Sequence, residues 1–297
     1  IPPSIALVLL GDVIASAYQR AQLEMGVVNT ATVSVGDLFV GALIPGLILV
    51  GLYLVWILLI ARIKPDRAPA IASEGASLSE LLKALLPPFI LIALVLGSIL
   101  LGAATPTEAA GVGAVGALLL ALQRRQMNWE KLHEIGLSTM RITSMVFLIL
   151  IGAAVFTLVF RGFGGEELVQ GFFERMDLGP QGAMLLVMVV IFLLGFILDF
   201  IEITFVVVPI VGPILLAMGF DPIWFGIMLA VNLQTSFLTP PFGFALFYLR
   251  GVAPASLPTG AIYRGVIPFV ALQIGLLALL WSFPNLITWL PNVLRSG

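Results

Sequence analysis

The chain has 297 residues, of which 60% are hydrophobic and 10% are charged, and its formal net charge at pH 7 is −2. Soluble domains carry roughly 25% charged residues, so this composition excludes an ordinary soluble domain and indicates a polytopic helical protein in a lipid bilayer. The absence of cysteine excludes disulfides, thiol nucleophiles and cysteine-based metal sites. Net charge this small says little about partners, and we expect no nucleic acid among them.

Apolar runs of membrane-spanning length recur along the chain. In chain order, we predict a short helix at 2–19, membrane-spanning helices at 38–60, 81–101, 106–122 and 142–160, an interrupted apolar run at 181–218, a broken segment at 222–249 and a closing helix at 261–290. The stretch "MNWEKLHEIGLSTM" has apolar residues at helical spacing with charges between them. It predicts a separate amphipathic connector along the cytoplasmic surface.

Basic residues predict the orientation of these segments. The loops at 62–83, 124–141 and 250–264 hold ten of the fourteen lysines and arginines. The positive-inside rule places these loops in the cytoplasm. The run at 181–218 must then begin and end on the outer side. We therefore predict a re-entrant hairpin, whose acidic tip from Asp199 to Glu202 lies near the middle of the membrane.

Two passages of the chain share an order of features. Each has a double proline, a short helix, a loop and then a helix that opens with "FVGALIPG" or "YRGVIPF". The predicted topology runs these passages in opposite directions, which is typical of inverted repeats in secondary transporters. Residues 81–239 precede the second double proline, and no matching piece precedes Ile1. We therefore interpret the chain as beginning inside its own first repeat, without that repeat's hairpin.

The stretch "NLQTSFLTPPFGF" concentrates polar residues and two prolines within an apolar segment. Proline removes amide donors and leaves carbonyls unpaired, and unwound backbone at membrane depth is tolerated where it lines a cavity. Polar groups inside a membrane are functional by default, so the pattern favours a binding site. The alternative is a packed proline kink.

Two acidic motifs have structural alternatives. Asp199 and Glu202 could attract a cation, order the hairpin tip or shape a substrate cavity, or they could simply cap a helix terminus. In "TPTEAA", Thr105 is expected at the N-cap, with proline next and Glu108 at the third helical position. That capping box explains the motif locally, so we do not assign Glu108 as a ligand.

Five stretches resemble the large membrane subunit of tripartite ATP-independent periplasmic (TRAP) transporters. They are "IPPS", "GAATPTEAAGVGA", "GFDPIWFGIMLAVN", "LTPPFGFALFYLRGVAP" and "IYRGVIPF", and they extend over nearly the whole chain. The resemblance implies an all-α, inverted-repeat, elevator-type transporter with re-entrant hairpins and broken helices. It also implies sodium-coupled import of an organic anion across the bacterial inner membrane. The partners implied are a small membrane subunit and a periplasmic substrate-binding protein.

The resemblance implies a division of the chain into four parts. Residues 1–36 are the broken-helix remainder of the first repeat, and 181–256 are the hairpin and second broken helix; together they form a transport domain. Residues 37–180 are mainly scaffold and connecting helices. Residues 257–297 form the C-terminal membrane helix.

The resemblance further implies Na⁺ as the coupling ion, without an organic cofactor. One sodium site maps onto Gly195, Ser236, Thr239 and Phe242, largely through backbone oxygens. The family usually has glycine where this chain has Ser236. The symmetric site maps onto Ile1 and Pro3, with its hairpin ligands in the missing part.

The predicted substrate cavity combines polar residues near both double prolines. Helix N-termini after the double prolines direct partial positive charge at one region, which suits an anion. Asp199 is favoured over Glu202 because it is nearer Gly195. The cavity residues are Ser4, Asp199, Asn232, Gln234 and Thr235.

Other functions make different predictions. An intramembrane aspartyl-type enzyme needs two facing aspartates, and the chain has only Asp199 at membrane depth. The sole histidine, His133, falls in the connector, which argues against Ser–His catalysis and histidine metal sites. A non-coupled channel or a structural membrane partner would show no sodium dependence and would not require a binding protein.

Overall fold

A computed structural model of the chain describes residues 4–27, 31–67, 77–241, 243–254 and 257–296. Regular structure within these ranges is helical, with no strand. The helices are α1 (Ile5–Glu24), α2 (Val35–Ile63), α3 (Leu78–Leu100), α4 (Pro106–Gln123), α5 (Trp129–Gly162), α6 (Gly165–Met176), α7 (Gly179–Leu194), α8 (Phe200–Glu202), α9 (Val208–Ala217), α10 (Pro222–Leu238), α11 (Phe244–Val252), α12 (Thr259–Ser282) and α13 (Asn285–Ser296), with a π turn at Ile203–Val207 and a 3₁₀ turn at Pro65–Arg67.

Six helical stretches among the described residues are long and apolar enough to cross a membrane. They are α2, α3, α4, α5, Phe200–Ala217 and α12. A membrane-spanning helix needs about 20 apolar residues. Large apolar side chains such as Leu54, Leu58 and Phe89 are exposed on these helices, as expected of surfaces that face lipid. The prediction of an all-α polytopic membrane protein is confirmed.

The chain divides into two compact units. The described residues from Val50 to Met145 form the smaller unit, and the described residues before Val50 and from Val146 onward form the larger unit. In the smaller unit, α3 packs against α4. A Cβ on Gly116 would lie 2.4 Å from Leu91 Cδ1, so the small residues of α4 allow close packing. The four-part division into transport and scaffold segments stays a prediction.

The larger unit is built around α10. This helix packs against α1, α7, α12 and α13, and most of its residues are buried, including Phe225 and Leu229. Helix α1 also packs along α9, where Gly212 lies close enough to Ala17 that an added Cβ would be 3.2 Å from the alanine methyl group. Helix α10, which carries the predicted site residues Asn232, Gln234, Thr235 and Ser236, is therefore the core of the larger unit.

Two predicted segment boundaries were wrong. The separate connector is instead the start of α5, which begins after Asn128, whose side chain accepts a hydrogen bond from Lys131 N at 2.8 Å. No proline interrupts the 34 residues of α5, so the amphipathic and apolar parts form one helix. The closing segment is two helices, because Phe283 leaves helical geometry and Pro284 cannot continue α12.

The capping box of α4 is confirmed. Thr105 N donates to Glu108 Oε2 at 2.8 Å, and Glu108 N donates to Thr105 Oγ1 at 3.3 Å. The reciprocal bonds satisfy amides that the first helical turn leaves without partners. The local interpretation of "TPTEAA" therefore accounts for Glu108.

Candidate functional site

The apolar run at 181–218 folds into two helical arms. Helix α7 ends at Leu194 with Gly195 as its C-cap, a short turn follows, and the second arm starts after Asp199. At 1.5 Å per residue the 16 residues of α7 extend about 24 Å, less than the roughly 30 Å of a hydrocarbon core. This length favours the predicted hairpin over a full span by the first arm.

Asp199 and Glu202 form a capping box at the hairpin tip. Phe200 N donates to Asp199 Oδ1 at 2.7 Å, and Asp199 N donates to Glu202 Oε2 at 3.2 Å. Both side chains are half-buried. The cap role that the sequence left open is thus present, and a direct role for Asp199 toward substrate stays a prediction.

The polar residues of α10 are buried and hydrogen-bonded. Asn232 is 3% exposed, and Thr235 and Ser236 are 0% exposed. Asn232 Nδ2 donates to Met188 O of α7 at 2.8 Å, which joins the hairpin to α10. The hydroxyls of Thr235 and Ser236 donate to carbonyls of α10 itself at 2.7 and 2.8 Å. A hydroxyl that donates its proton keeps lone pairs that can bind a cation.

Gly195 and Ser236 are in direct contact. A Cβ placed on Gly195 would lie 2.2 Å from Ser236 Oγ and 2.8 Å from Ser236 Cβ. Such distances are impossible for ordinary non-bonded atoms, so at this spacing only glycine fits. The structure therefore brings together two positions that lie 41 residues apart in the sequence and that the family resemblance placed in one sodium site.

The predicted break after α10 is present at Thr239. This residue is extended, with φ −85° and ψ 123°. Thr239 N donates to Ser236 O at 3.1 Å, and Thr239 Oγ1 donates to Thr235 O at 2.7 Å. Thr239 thus satisfies two carbonyls at the end of the helix with its own backbone and side chain.

The chain turns back closely after the break. Gly243 N donates to Thr239 O at 3.1 Å, and a Cβ on Gly243 would lie 2.4 Å from Phe237 O. From α12, the Tyr263 hydroxyl donates to Pro241 O at 3.0 Å. The rings of Phe200 and Phe237 are 6.1 Å apart and connect the hairpin tip with the end of α10.

The donor atoms around the break are oxygens. Backbone carbonyls and hydroxyls suit hard cations, and unwound carbonyls at interrupted helices coordinate Na⁺ in many secondary transporters. No group of three or more His, Cys, Asp or Glu side chains that could hold a metal ion occurs among the described residues. The residues present therefore fit an alkali cation better than a transition metal.

A cleft of about 630 Å³ lies between α7, α10 and α12. Asn232 and Thr235 contribute to its walls, together with mainly apolar residues such as Met188 and Phe192. Gln234 is exposed and does not line this cleft, because helical geometry separates it from Asn232 by about 200°. Only two of the three predicted cavity residues on α10 share the cleft.

The remaining predicted residues are Ser4, Ile1, Pro3 and Phe242. Ser4 is the N-cap of α1, with extended backbone and no side-chain capping bond. Ile1, Pro3 and Phe242 lie outside the described residues. Their assignment, like the sodium and substrate assignments of the other residues, stays a prediction.

Sequence reasoning missed the contacts made by Met188, Gly243 and Tyr263. The acceptor of Asn232 lies 44 residues earlier, and that of Tyr263 lies 22 residues earlier. Both acceptors are backbone carbonyls, which leave no side-chain signature. Tyr263 could have been noticed in the sequence, because it is the first residue of the "YRGVIPF" passage of the predicted internal repeat.

Residues 1–286 match the family described as "Tripartite ATP-independent periplasmic transporter, DctM component". The chain belongs to this family. Its members are transporter permeases and not enzymes, and they are multi-pass proteins of the bacterial inner membrane, in agreement with the six apolar helices. The family assignment confirms the resemblance drawn from the five sequence stretches.

Several curated relatives of the TRAP family are similar to the chain. The C4-dicarboxylate TRAP transporter large permease protein DctM of Pseudomonas aeruginosa is 31% identical over 237 residues, which are 80% of this chain and 55% of the relative. The sialic acid large permease protein SiaM of Vibrio cholerae is 31% identical over 73% of this chain and 50% of the relative. The ectoine/5-hydroxyectoine large permease protein UehC of Ruegeria pomeroyi is 28% identical over 68% and 47%. The chain spans about half the length of these relatives.

Proposed function

We propose that this protein is the membrane subunit of a Na⁺-coupled secondary transporter that imports an organic acid anion. The observation that supports this proposal most directly is the contact of Gly195 with Ser236, beside the helix break at Thr239. There the turn of the hairpin meets an interrupted helix whose candidate ligand atoms are hydroxyl and carbonyl oxygens. Unwound backbone at interrupted helices is where many secondary transporters bind their coupling ions.

Sodium would link the two elements of the proposed site. Hydroxyl and carbonyl oxygens of Ser236 and Thr239 would bind the cation, together with backbone of Gly195. Because these oxygens come from both the hairpin turn and α10, a bound cation would stabilise their contact. The ion would thereby favour the arrangement that receives the anion, which is how binding of one solute is coupled to another.

The partners proposed are a periplasmic substrate-binding protein and a small membrane subunit. The description of the family as tripartite and periplasmic supports both. Relatives are named for C4-dicarboxylates, sialic acid and ectoine, so these names do not identify a single substrate. The proposed substrate class is therefore an organic acid, delivered by the binding protein.

Transport would proceed by an elevator movement. The hairpin and the broken helix would carry the assembled site across the membrane against a fixed scaffold. The close fit between Gly195 and Ser236 supports movement of these two elements together.

Reconstituted uptake tests the proposal. The full-length large subunit and its small partner are placed in liposomes with an imposed Na⁺ gradient. A radiolabelled organic acid is supplied either free or bound to the binding protein. Uptake is expected only with both the gradient and the loaded binding protein. Equal uptake in choline and in sodium would refute the coupling and would favour a non-coupled channel.

A further inference from the structure

The Tyr263 hydroxyl reaches the loop that follows the broken helix. It donates to Pro241 O at 3.0 Å, across 22 residues of sequence. Neither Pro240 nor Pro241 has an amide N–H, so these two residues cannot hold the loop by donating backbone hydrogen bonds. A hydrogen-bond donor from another helix can therefore hold the loop at a position where the loop's own prolines cannot.

Packing fixes the helix that carries Tyr263. Leu246, Ile262, Val266 and Val270 form a buried cluster between α11 and α12. Leu238, the last residue of α10, and Tyr263 itself pack against this cluster. The half-buried tyrosine ring is thus held by apolar contacts, while its hydroxyl reaches out to the exposed Pro241 carbonyl of the loop.

The contact lies two residues beyond Thr239. Thr239 has its hydroxyl bonded to Thr235 O at 2.7 Å and its carbonyl bonded by Gly243 N at 3.1 Å. These local bonds hold the loop to α10 and to itself. Tyr263 adds the bond to α12, so the loop is fixed from a second helix.

We propose that Tyr263 is a positioning residue for the sodium site. Its hydroxyl holds the Pro241 carbonyl, and through the loop backbone it keeps the oxygens of Thr239 in the geometry that binds Na⁺. Tyr263 does not itself touch the ion. The proposal rests on the sodium coupling of the proposed function, and it concerns a residue outside the predicted sodium and substrate sets.

Tyr263→Phe removes the hydroxyl and keeps the ring that packs on the buried cluster. Loss of one hydrogen bond that orders the loop should raise the Na⁺ concentration for half-maximal uptake roughly 2- to 10-fold. Uptake at saturating Na⁺ should stay within about twofold of the native rate, because excess ion restores occupancy of the site. The dependence on binding-protein concentration should not change.

Tyr248→Phe is the matched control. Tyr248 lies on α11, is 80% exposed and makes no hydrogen bond to any described residue. Its substitution should leave the Na⁺ dependence of uptake unchanged. A merely structural role for Tyr263 would lower the yield of folded protein and the maximal rate while leaving the half-saturating Na⁺ concentration as it was. That result, or a native Na⁺ curve for Tyr263→Phe, would overturn the proposal.

A second readout separates this inference from the coupling on which it rests. Amide hydrogen exchange of the segment 236–246 is measured in sodium-free buffer for the native protein and both variants. Faster exchange in Tyr263→Phe alone is expected, because the loop has lost its bond to α12. Equal exchange in all three overturns the positioning role. If uptake by the native protein does not depend on Na⁺, the proposed function and the sodium part of this inference are refuted. The hydrogen-exchange measurement still decides, in that case, whether Tyr263 orders the loop.

Discussion

Replacing Gly195 by alanine should separate the hairpin turn from α10. The backbone of Gly195 has φ −64° and ψ −6°, which alanine adopts without strain. Any effect must therefore arise from the added methyl group. That group would lie 2.2 Å from Ser236 Oγ, where ordinary contacts are at least 3.4 Å, so the two elements must move apart by about 1 Å.

Two costs set the size of the effect. Overpacking a filled interior by one methyl group typically costs about 1–3 kcal/mol. If the fully buried Ser236 rotates away, it also gives up its bond to Leu233 O, worth about 1 kcal/mol. We expect Gly195→Ala to lower the free energy of unfolding by about 2–4 kcal/mol. The substitution should also weaken the sodium dependence of uptake, because the proposed ligands separate.

Unfolding in detergent, followed by tryptophan fluorescence, measures the first effect, and uptake against Na⁺ concentration measures the second. Gly275→Ala is the control, because Gly275 lies within α12 and an added Cβ there meets no atom within 4 Å. Ser236→Gly should restore most of the lost stability when combined with Gly195→Ala, since it removes both clashing atoms. If Gly195→Ala is as stable as Gly275→Ala, or the double substitution recovers nothing, the contact is not close and our account of the site is wrong.

Three further predictions concern the same region. Thr239→Ala removes a hydroxyl from the proposed site, so the half-saturating Na⁺ concentration should rise about 10-fold; an unchanged sodium curve would exclude that hydroxyl as a ligand. Gly243→Ala places a Cβ 2.4 Å from Phe237 O, a backbone atom that cannot rotate away. Because this overpacks the turn after α10, uptake should fall at least 10-fold. Gly251→Ala is the control and should behave as native, because an added Cβ there meets no atom within 4 Å. Asp199→Asn keeps a capping acceptor but removes the charge, so the protein should be as stable as the native one while the half-saturating Na⁺ concentration of uptake rises. A native Na⁺ titration of uptake would show that Asp199 serves only as a helix cap.

Features with a local cause were predictable from the sequence. The capping box at Thr105 and the helix break before Pro240 each follow from residues within one helical turn. The cap at Asp199 is equally local, and it was one of the alternatives that the sequence left open. Length and apolar composition likewise sufficed for the membrane spans, because a spanning helix must satisfy its own backbone.

Features set by distant contacts were not predictable. The polar cluster on α10 was treated as one unit, yet the helix continues to Leu238 and turns Gln234 away from Asn232. The length of α5 was missed because a change from amphipathic to apolar composition is not a helix break. The proximity of Gly195 to Ser236 followed from family resemblance alone, since neither residue's sequence neighbourhood encodes the other.

Helices α10 and α12 are bonded at both of their ends. Trp224, in the first turn of α10, donates its indole N–H to Leu280 O near the end of α12 at 3.1 Å, and Tyr263, in the first turns of α12, donates to Pro241 O beyond the end of α10. The two helices are therefore antiparallel. A shift of one past the other by a single turn, about 5.4 Å, would break both bonds and expose a buried indole N–H. The elevator movement proposed above would therefore have to carry α12 together with the broken helix, because sliding between these two helices would break both hydrogen bonds.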